Sequence, residues 1–127
     1  MQKRAGLLFL TPKTGRILLV LEDSKWTVPT FKREDDLLTD ATPLVQRYYG
    51  KPARILPIEL YLSEDKGFEY GTYVCIVGEE FLTQESETIS WANLDHLPKQ
   101  LHSGLKSTLS NSIIRSKIDT IIALQED

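Results

Sequence analysis

The stretch that decides the fold begins at Trp26–Phe31, WTVPTF, and continues into a polar run. Trp26 and Val28 favour a short strand, because aromatic and β-branched residues pack well on a pleated sheet. Pro29 ends this strand, since proline has no N–H to donate to a neighbouring strand. The polar residues 32–36 then predict a loop.

A short helix is predicted directly after this loop. Pro43 suits the first turn of a helix, and Gly50 can adopt the left-handed conformation that ends one. Side-chain oxygens suited to an N-cap come from Thr39, Asp40 and Thr42. The pattern predicts a helix of about two turns between these caps and Gly50.

Two apolar runs precede this stretch, Ala5–Leu10 and Arg16–Leu21. Residues 11–15, TPKTG, lie between them; the proline presets φ and the glycine tolerates a left-handed conformation. A hairpin of two buried strands is therefore predicted.

More strands and then two helices are predicted after residue 50. Residues 53–62 and 68–77 flank a polar loop and are rich in β-branched and aromatic residues, which indicates two antiparallel strands; Ile89–Trp91 adds a short strand. Apolar residues then recur at helical spacing in two sets: Leu101, Leu105 and Leu109, then Ile114, Ile118, Ile121 and Ile122. Residues 110–112, between the sets, could be a C-cap, an N-cap or both.

Composition restricts the class of protein. A chain of 127 residues with 41% hydrophobic residues fits one domain, residues 1–127. The net charge of −3 argues against duplex nucleic acid as a partner, because such binders usually carry a strong basic face. Ala5–Leu10 is too short for a secretion signal or a membrane span, so we expect a cytoplasmic protein. The single Cys75 lies in an apolar run and is predicted to be a buried, inert thiol.

The order of these elements resembles that of the Nudix hydrolases. Residues 67–81, GFEYGTYVCIVGEEF, followed by Trp91, Leu97-Pro98 and the final helices, are similar to one group of bacterial and phage Nudix proteins. The resemblance covers nearly the whole chain. It implies an α+β fold: an α/β/α sandwich with a mixed central sheet, a short Nudix-box helix and C-terminal helices.

The Nudix motif itself, Gx5Ex7REUxEExGU with U a bulky aliphatic residue, is degenerate in this chain. When the last glycine of the motif is aligned with Gly50, the segment REUxEExGU falls on residues 43–51, and only Val45 and Gly50 match it. The three glutamate positions hold Leu44, Arg47 and Tyr48. In a working member these glutamates bind Mg²⁺ or Mn²⁺, which bridge a diphosphate and activate water. No metal is expected at the three substituted positions, because an arginine repels cations and the other two side chains lack a carboxylate.

Carboxylates elsewhere are candidates to replace the missing ones. Asp35 and Asp36 lie near the place of the motif's loop glutamate and are candidate metal ligands. The resembling group uses a glutamate just upstream of the late tryptophan as base or metal ligand, so Glu85 and Glu87 are candidate catalytic residues. Solvated surface charge is the alternative interpretation for the two glutamates, and the two aspartates make a poor metal site without carboxylates on the helix.

Five residues are candidates for substrate binding. Lys32, Arg33 and Arg47 could together meet a phosphate, since ammonium and guanidinium groups favour oxyanions. Glu69 could face the same cleft, and Tyr70 could stack on a base. The alternatives are a charged surface for the four ionic side chains and a core position for Tyr70.

We therefore predict a Nudix-fold protein that binds a nucleotide derivative and has little or no hydrolase activity. One alternative is an active Mg²⁺- or Mn²⁺-dependent pyrophosphohydrolase of nucleoside-diphosphate derivatives with a rebuilt site. Another is a non-catalytic interaction module, for instance a homodimer formed through the C-terminal helices. His96 and His102 are near no serine or cysteine in a nucleophile setting, and we expect them at the surface or at a helix start.

Overall fold

The computed structural model describes residues 2–49, 58–65, 67–78, 80 and 88–125. The elements in chain order are β1 (Gln2–Thr11), β2 (Arg16–Glu22), β3 (Lys25–Thr27), β4 (Thr30–Lys32), α1 (Leu37–Tyr49), β5 (Ile58–Asp65), β6 (Phe68–Ile76), β7 (Ile89–Asn93), α2 (Ser103–Ser110) and α3 (Ser112–Gln125). The strands form one mixed sheet, with α1 on one face and α2 and α3 on the other. This is the α/β/α sandwich that the Nudix resemblance implies.

Strand β1 lies at the centre of the sheet. The strand order is β3-β2-β1-β6-β5, while β4 pairs with the first half of β1 and β7 pairs with β2. β1 and β6 run parallel along nearly their whole lengths, from Gln2 opposite Phe68 to Leu10 opposite Ile76. The predicted β1–β2 hairpin is confirmed, and Gly15 in its turn has a φ of +67°. The β5–β6 hairpin is confirmed too.

Side chains of β1 alternate between two separate cores. Leu8 and Leu10 pack with α2 and α3, whereas Leu7 and Phe9 pack with α1, and all four are buried. Successive residues of a strand point to opposite faces. A strand covered on both faces therefore appears in the sequence as a continuous apolar run.

Helix α1 is longer than predicted, with 13 residues from Leu37 to Tyr49. The predicted start near residue 42 is wrong because the cap is Asp36: its Oδ1 accepts the Thr39 N–H at 2.9 Å and its Oδ2 accepts the Thr39 hydroxyl at 2.7 Å. Pro43 consequently lies inside the helix. Strand β4, just before the loop, is not predicted at all, and Lys32 belongs to it rather than to the loop.

The C-terminal helices follow the prediction with one change at their start. Leu101 precedes α2 and forms a parallel β-bridge with Trp26, which extends the β3 edge of the sheet. His102 caps α2, because its Nδ1 accepts the Gly104 N–H at 3.1 Å. Asn111 ends α2 and also caps α3, since its Oδ1 accepts the amides of Ile113 and Ile114. None of the described helices is long and apolar enough to cross a membrane.

Candidate functional site

Two of the three α1 positions where the resemblance places metal-binding glutamates, Leu44 and Tyr48, pack into an apolar core. Tyr48 is buried in the α1 core, and its ring meets that of Phe9 edge-on, with centroids 6.4 Å apart. Leu44 packs against the same core and Val45 is part of it. Arg47 is exposed, and its guanidinium carbon lies 5.3 Å from the centroid of the Tyr48 ring.

The loop before α1 is folded onto Asp40. The Asp40 carboxylate accepts the Glu34 amide at 2.9 Å and the Asp35 amide at 3.0 Å, and it forms an ion pair with Arg33 at 3.2 Å. Desolvation favours the neutral acid, but these amides and the Arg33 guanidinium outweigh it and hold the pKa of Asp40 below its ordinary value. Arg33 also donates to the Tyr73 hydroxyl at 3.0 Å, which ties the loop to β6.

The two candidate metal ligands in this loop, Asp35 and Asp36, differ in whether their carboxylates already make hydrogen bonds. Both carboxylate oxygens of Asp36 are occupied by the helix cap, and hydrogen bonds from the Thr39 amide and hydroxyl lower its pKa. Asp35 is exposed and contributes its backbone amide to the loop. Hard divalent cations need several oxygen ligands that converge on one point. Within the described ranges no group of three His, Cys, Asp or Glu side chains lies close enough together to hold a metal ion.

The other predicted ionic candidates have separate partners. Lys32 pairs with Glu34 at 3.2 Å, while Arg33 is held by Asp40 as described. Glu69 lies opposite Lys3 in the β1–β6 register and forms an ion pair with it at 3.5 Å. Residues 85 and 87, the candidate catalytic glutamates, lie outside the described residues.

A pocket opens on the opposite face of the sheet, between the strands and α2. Its volume is about 530 Å³. Tyr70 of β6 lines it, so this candidate residue does lie in a cavity. The Tyr70 ring reaches across β1 at Gly6, where a Cβ atom would stand 2.5 Å from the Tyr70 Oη and 2.9 Å from Val28 Cγ2. The pocket therefore depends on glycine at position 6.

The sheet side of the pocket combines hydroxyls with one carboxylate. Thr30 and the buried Thr72 line it together with Glu22, the last residue of β2. The pKa of the Tyr70 phenol is raised above its ordinary value, chiefly by burial. The positive charge of Arg4 opposes this rise, and the Glu22 carboxylate adds to it. Arg4 also donates to Thr30 Oγ1 at 3.1 Å.

The helix side of the pocket is formed mainly by α2 and its caps. Leu105 is buried and supplies an apolar wall, with Ile114 of α3 beside it. His102 lines the same wall. Because its Nδ1 accepts a hydrogen bond, the proton of the neutral imidazole sits on Nε2, which leaves that N–H available as a donor. Asn111 is similarly occupied at its Oδ1 by the α3 cap.

Two of these pocket residues are absent from the sequence-based candidates. Glu22 ends a strand beside a turn, and nothing in its local pattern distinguishes it from a solvated charge. His102 is predicted to be a helix-start residue, which is confirmed, but its place in a cavity depends on how α2 packs on the sheet. A long-range contact of this kind leaves no trace in local sequence.

Comparison with known proteins supports the fold and goes no further. No family model matches the chain, and no curated protein matches it. Among solved structures, a MutT Nudix hydrolase from Burkholderia pseudomallei is similar at 19% identity and a TM-score of 0.60, covering 88% of this chain and 99% of that one. An ADP-ribose pyrophosphatase from Streptococcus suis is similar at 16% identity and a TM-score of 0.64, with 99% and 94% covered.

A third similar structure is the C-terminal domain of mouse MUTYH, solved in complex with human PCNA. It shares 14% identity at a TM-score of 0.60, covering 98% of this chain and 88% of that one. These likenesses show that the chain has the Nudix fold. They extend over nearly the whole chain, as the sequence resemblance does.

Proposed function

We propose that this protein binds a nucleotide derivative in the pocket between the sheet and α2, and that it has little or no metal-dependent hydrolase activity. The observation that carries the proposal is the contrast between the two faces of the sheet. The pocket is formed and has polar lining groups, whereas the face of α1 that would hold metal is filled by Leu44 and Tyr48.

The pocket has the size and lining of a small-molecule site. Ligand pockets typically enclose about 300–1,000 Å³, with mostly apolar walls and a few polar groups that orient the ligand. Here Val28, Leu105 and Ile114 provide apolar walls, and the hydroxyls of Tyr70 and Thr72 provide hydrogen-bonding partners. A planar base with polar edges suits this combination. The fold shared with MutT and an ADP-ribose pyrophosphatase makes a nucleotide derivative the first class to test.

The weak-hydrolase part of the proposal rests on the missing carboxylates. Nudix-type hydrolysis needs divalent metal to polarise the diphosphate and to generate hydroxide. Leu44 cannot bind a cation, Arg47 repels one, and Asp36 already caps α1.

Binding is tested by calorimetry with nucleoside diphosphates, nucleotide sugars and NADH in buffer containing EDTA. We expect saturable binding that Ser107→Trp weakens at least tenfold, because Ser107 is exposed and lines the pocket, so an indole there fills the cavity. Ser116→Trp is the matched control, an exposed position on α3 that is not part of the lining. Absence of binding, or equal binding by both variants, would refute the proposal.

An active enzyme with a rebuilt site is the second candidate, favoured by the fold shared with solved hydrolases. Its carboxylates would come from Asp35, Asp36, Glu69, Glu85 and Glu87. An assay with Mn²⁺ and a panel of nucleotide sugars, dinucleoside polyphosphates and NADH distinguishes the two. Turnover that Glu85→Gln or Glu87→Gln abolishes would establish the enzyme and overturn the weak-hydrolase proposal.

An interaction module is the third candidate, and the structural likeness to a domain solved with PCNA favours it. Ile113 and Leu124 on α3 are large apolar side chains with relative exposures of 68% and 75%. A dimer seen by light scattering, together with no nucleotide stabilisation in a thermal-shift screen, would support this function instead.

A further inference from the structure

Glu22 has a distinctive position at the pocket. It is the last residue of β2, it is exposed, and it lines the cavity close enough to Tyr70 to act on that phenol electrostatically. Lys25 stands opposite it in the β2–β3 register. Within the part of the chain that the structure describes, the Glu22 carboxylate makes no hydrogen bond or ion pair, so it is available to a ligand.

The remaining lining groups make this carboxylate decisive for orientation. Among the described residues that line the pocket, Glu22 is the one with a formal charge at neutral pH when His102 is neutral. A carboxylate repels phosphate oxygens and accepts hydrogen bonds from N–H groups. On these grounds we expect a bound nucleotide to place its base toward Glu22 and its phosphates away from it.

We propose that Glu22 is a specificity-determining residue that selects bases with two adjacent N–H donors, as on the N1 and N2 edge of guanine. This inference rests on the nucleotide-binding function proposed above. A carboxylate has two oxygens and no donor, so it matches two parallel donors, and charged hydrogen bonds of this kind are roughly twice as strong as neutral ones.

Other purines match the carboxylate less well. Adenine presents an N1 acceptor beside its amino group, and that lone pair faces the negative oxygens. Hypoxanthine keeps the N1–H of guanine but lacks the amino group, so it offers one donor. A bidentate contact discriminates between bases by about 5- to 150-fold in affinity. We expect the order guanine, hypoxanthine, adenine.

The experiment measures the dissociation constants of GDP, IDP and ADP by calorimetry in EDTA for three proteins: wild type, Glu22→Gln and Asp23→Asn. Glutamine keeps the shape of Glu22 but adds a donor, which suits adenine better than guanine. Asp23→Asn is the matched control: it removes the same charge one residue away, outside the lining, and asparagine tolerates the φ of 49° found there.

The expected result is a wild-type preference for GDP over ADP of about 5-fold or more, lost in Glu22→Gln and kept in Asp23→Asn. A wild type that binds the three nucleotides equally would overturn the inference and leave nucleotide binding intact. So would a Glu22→Gln variant that keeps the GDP preference. If no nucleotide binds the wild type, the proposed function fails and the inference fails with it.

Discussion

Tyr48 and Tyr70 lie on opposite faces of the same sheet and have opposite effects on the space around them. Tyr48 on α1 meets Phe9 and helps to close its core, whereas Tyr70 on β6 lies over Gly6 and borders an open pocket. The neighbours account for the difference: an aromatic ring fills the space near one tyrosine, and a glycine leaves room for the other.

The comparison separates two regions of the fold, the core beneath α1 and the pocket beneath α2. In the motif that this chain resembles, the metal-binding part is a few carboxylates on the helix that corresponds to α1. The cavity on the other face is lined by α2, its caps, Ile114 of α3 and residues from and next to the strands, and none of its described lining residues lies on α1. Nucleotide binding without hydrolysis, as proposed above, is therefore compatible with this fold.

The largest expected effect comes from Tyr48→Glu, which restores a motif glutamate on the side of α1 that packs on the sheet. It buries a carboxylate in an apolar core and removes an aromatic ring, so we expect a loss of about 3–5 kcal/mol in the free energy of unfolding. Chemical denaturation measures this loss. Arg47→Glu is the control, because it places the same residue at an exposed position of the same helix. A Tyr48→Glu protein of normal stability that Mn²⁺ stabilises further would show that α1 lacks only its ligands.

Gly6→Ala tests whether the position of Tyr70 shapes the pocket between the sheet and α2. The added Cβ would clash with Tyr70 Oη and Val28 Cγ2, so the Tyr70 ring must shift, at a cost of about 1–3 kcal/mol. We expect a lower melting temperature together with weaker nucleotide binding. Gly78→Ala is the control, since a Cβ there has no heavy atom within 4 Å. Unchanged binding in Gly6→Ala would mean that Tyr70 does not shape the ligand site.

Local patterns in the sequence predict much of this fold. The hairpins and the helices α2 and α3 follow from apolar periodicity, and cap chemistry marks residues 110–112 as the junction between the two helices, where the structure selects Asn111 for both caps. The predicted start of α1 is wrong because cap chemistry alone does not distinguish between several nearby candidate residues. Asp36, Thr39, Asp40 and Thr42 all lie within seven residues; the structure uses Asp36 as the cap, while Asp40 pairs with Arg33.

The pocket is harder to predict from the sequence than the fold. Tyr70 can be proposed from its residue type, but Glu22 and His102 come together with it only after β2, β6 and α2 are assembled. The substitution of the motif glutamates by Leu44, Arg47 and Tyr48 is visible in the sequence itself. The buried packing of Tyr48 that replaces them requires the structure.

Asp40→Asn should destabilise the loop before α1 and change how the stability of the protein depends on pH. The pKa of Asp40 is lowered in the folded protein, so its contribution to stability is full above the ordinary pKa of 3.8 and is lost as the pH falls through the lower folded value. We expect the variant to melt below wild type at pH 7 and the difference to shrink in acid. Asp35→Asn, with an exposed side chain, is the control. A difference that stays constant down to the lowest pH would refute the assignment.

His102 gives the smallest and most selective effect, because one side chain serves both the fold and the pocket. His102→Ala removes the α2 cap and should cost about 1 kcal/mol, whereas His102→Asn supplies a new cap oxygen and should restore most of that stability. Neither variant retains the Nε2 donor. If His102→Asn melts like wild type but binds GDP more weakly, the imidazole contacts the ligand. If it binds as well as wild type, His102 serves the helix alone, and recognition depends on the sheet side of the pocket.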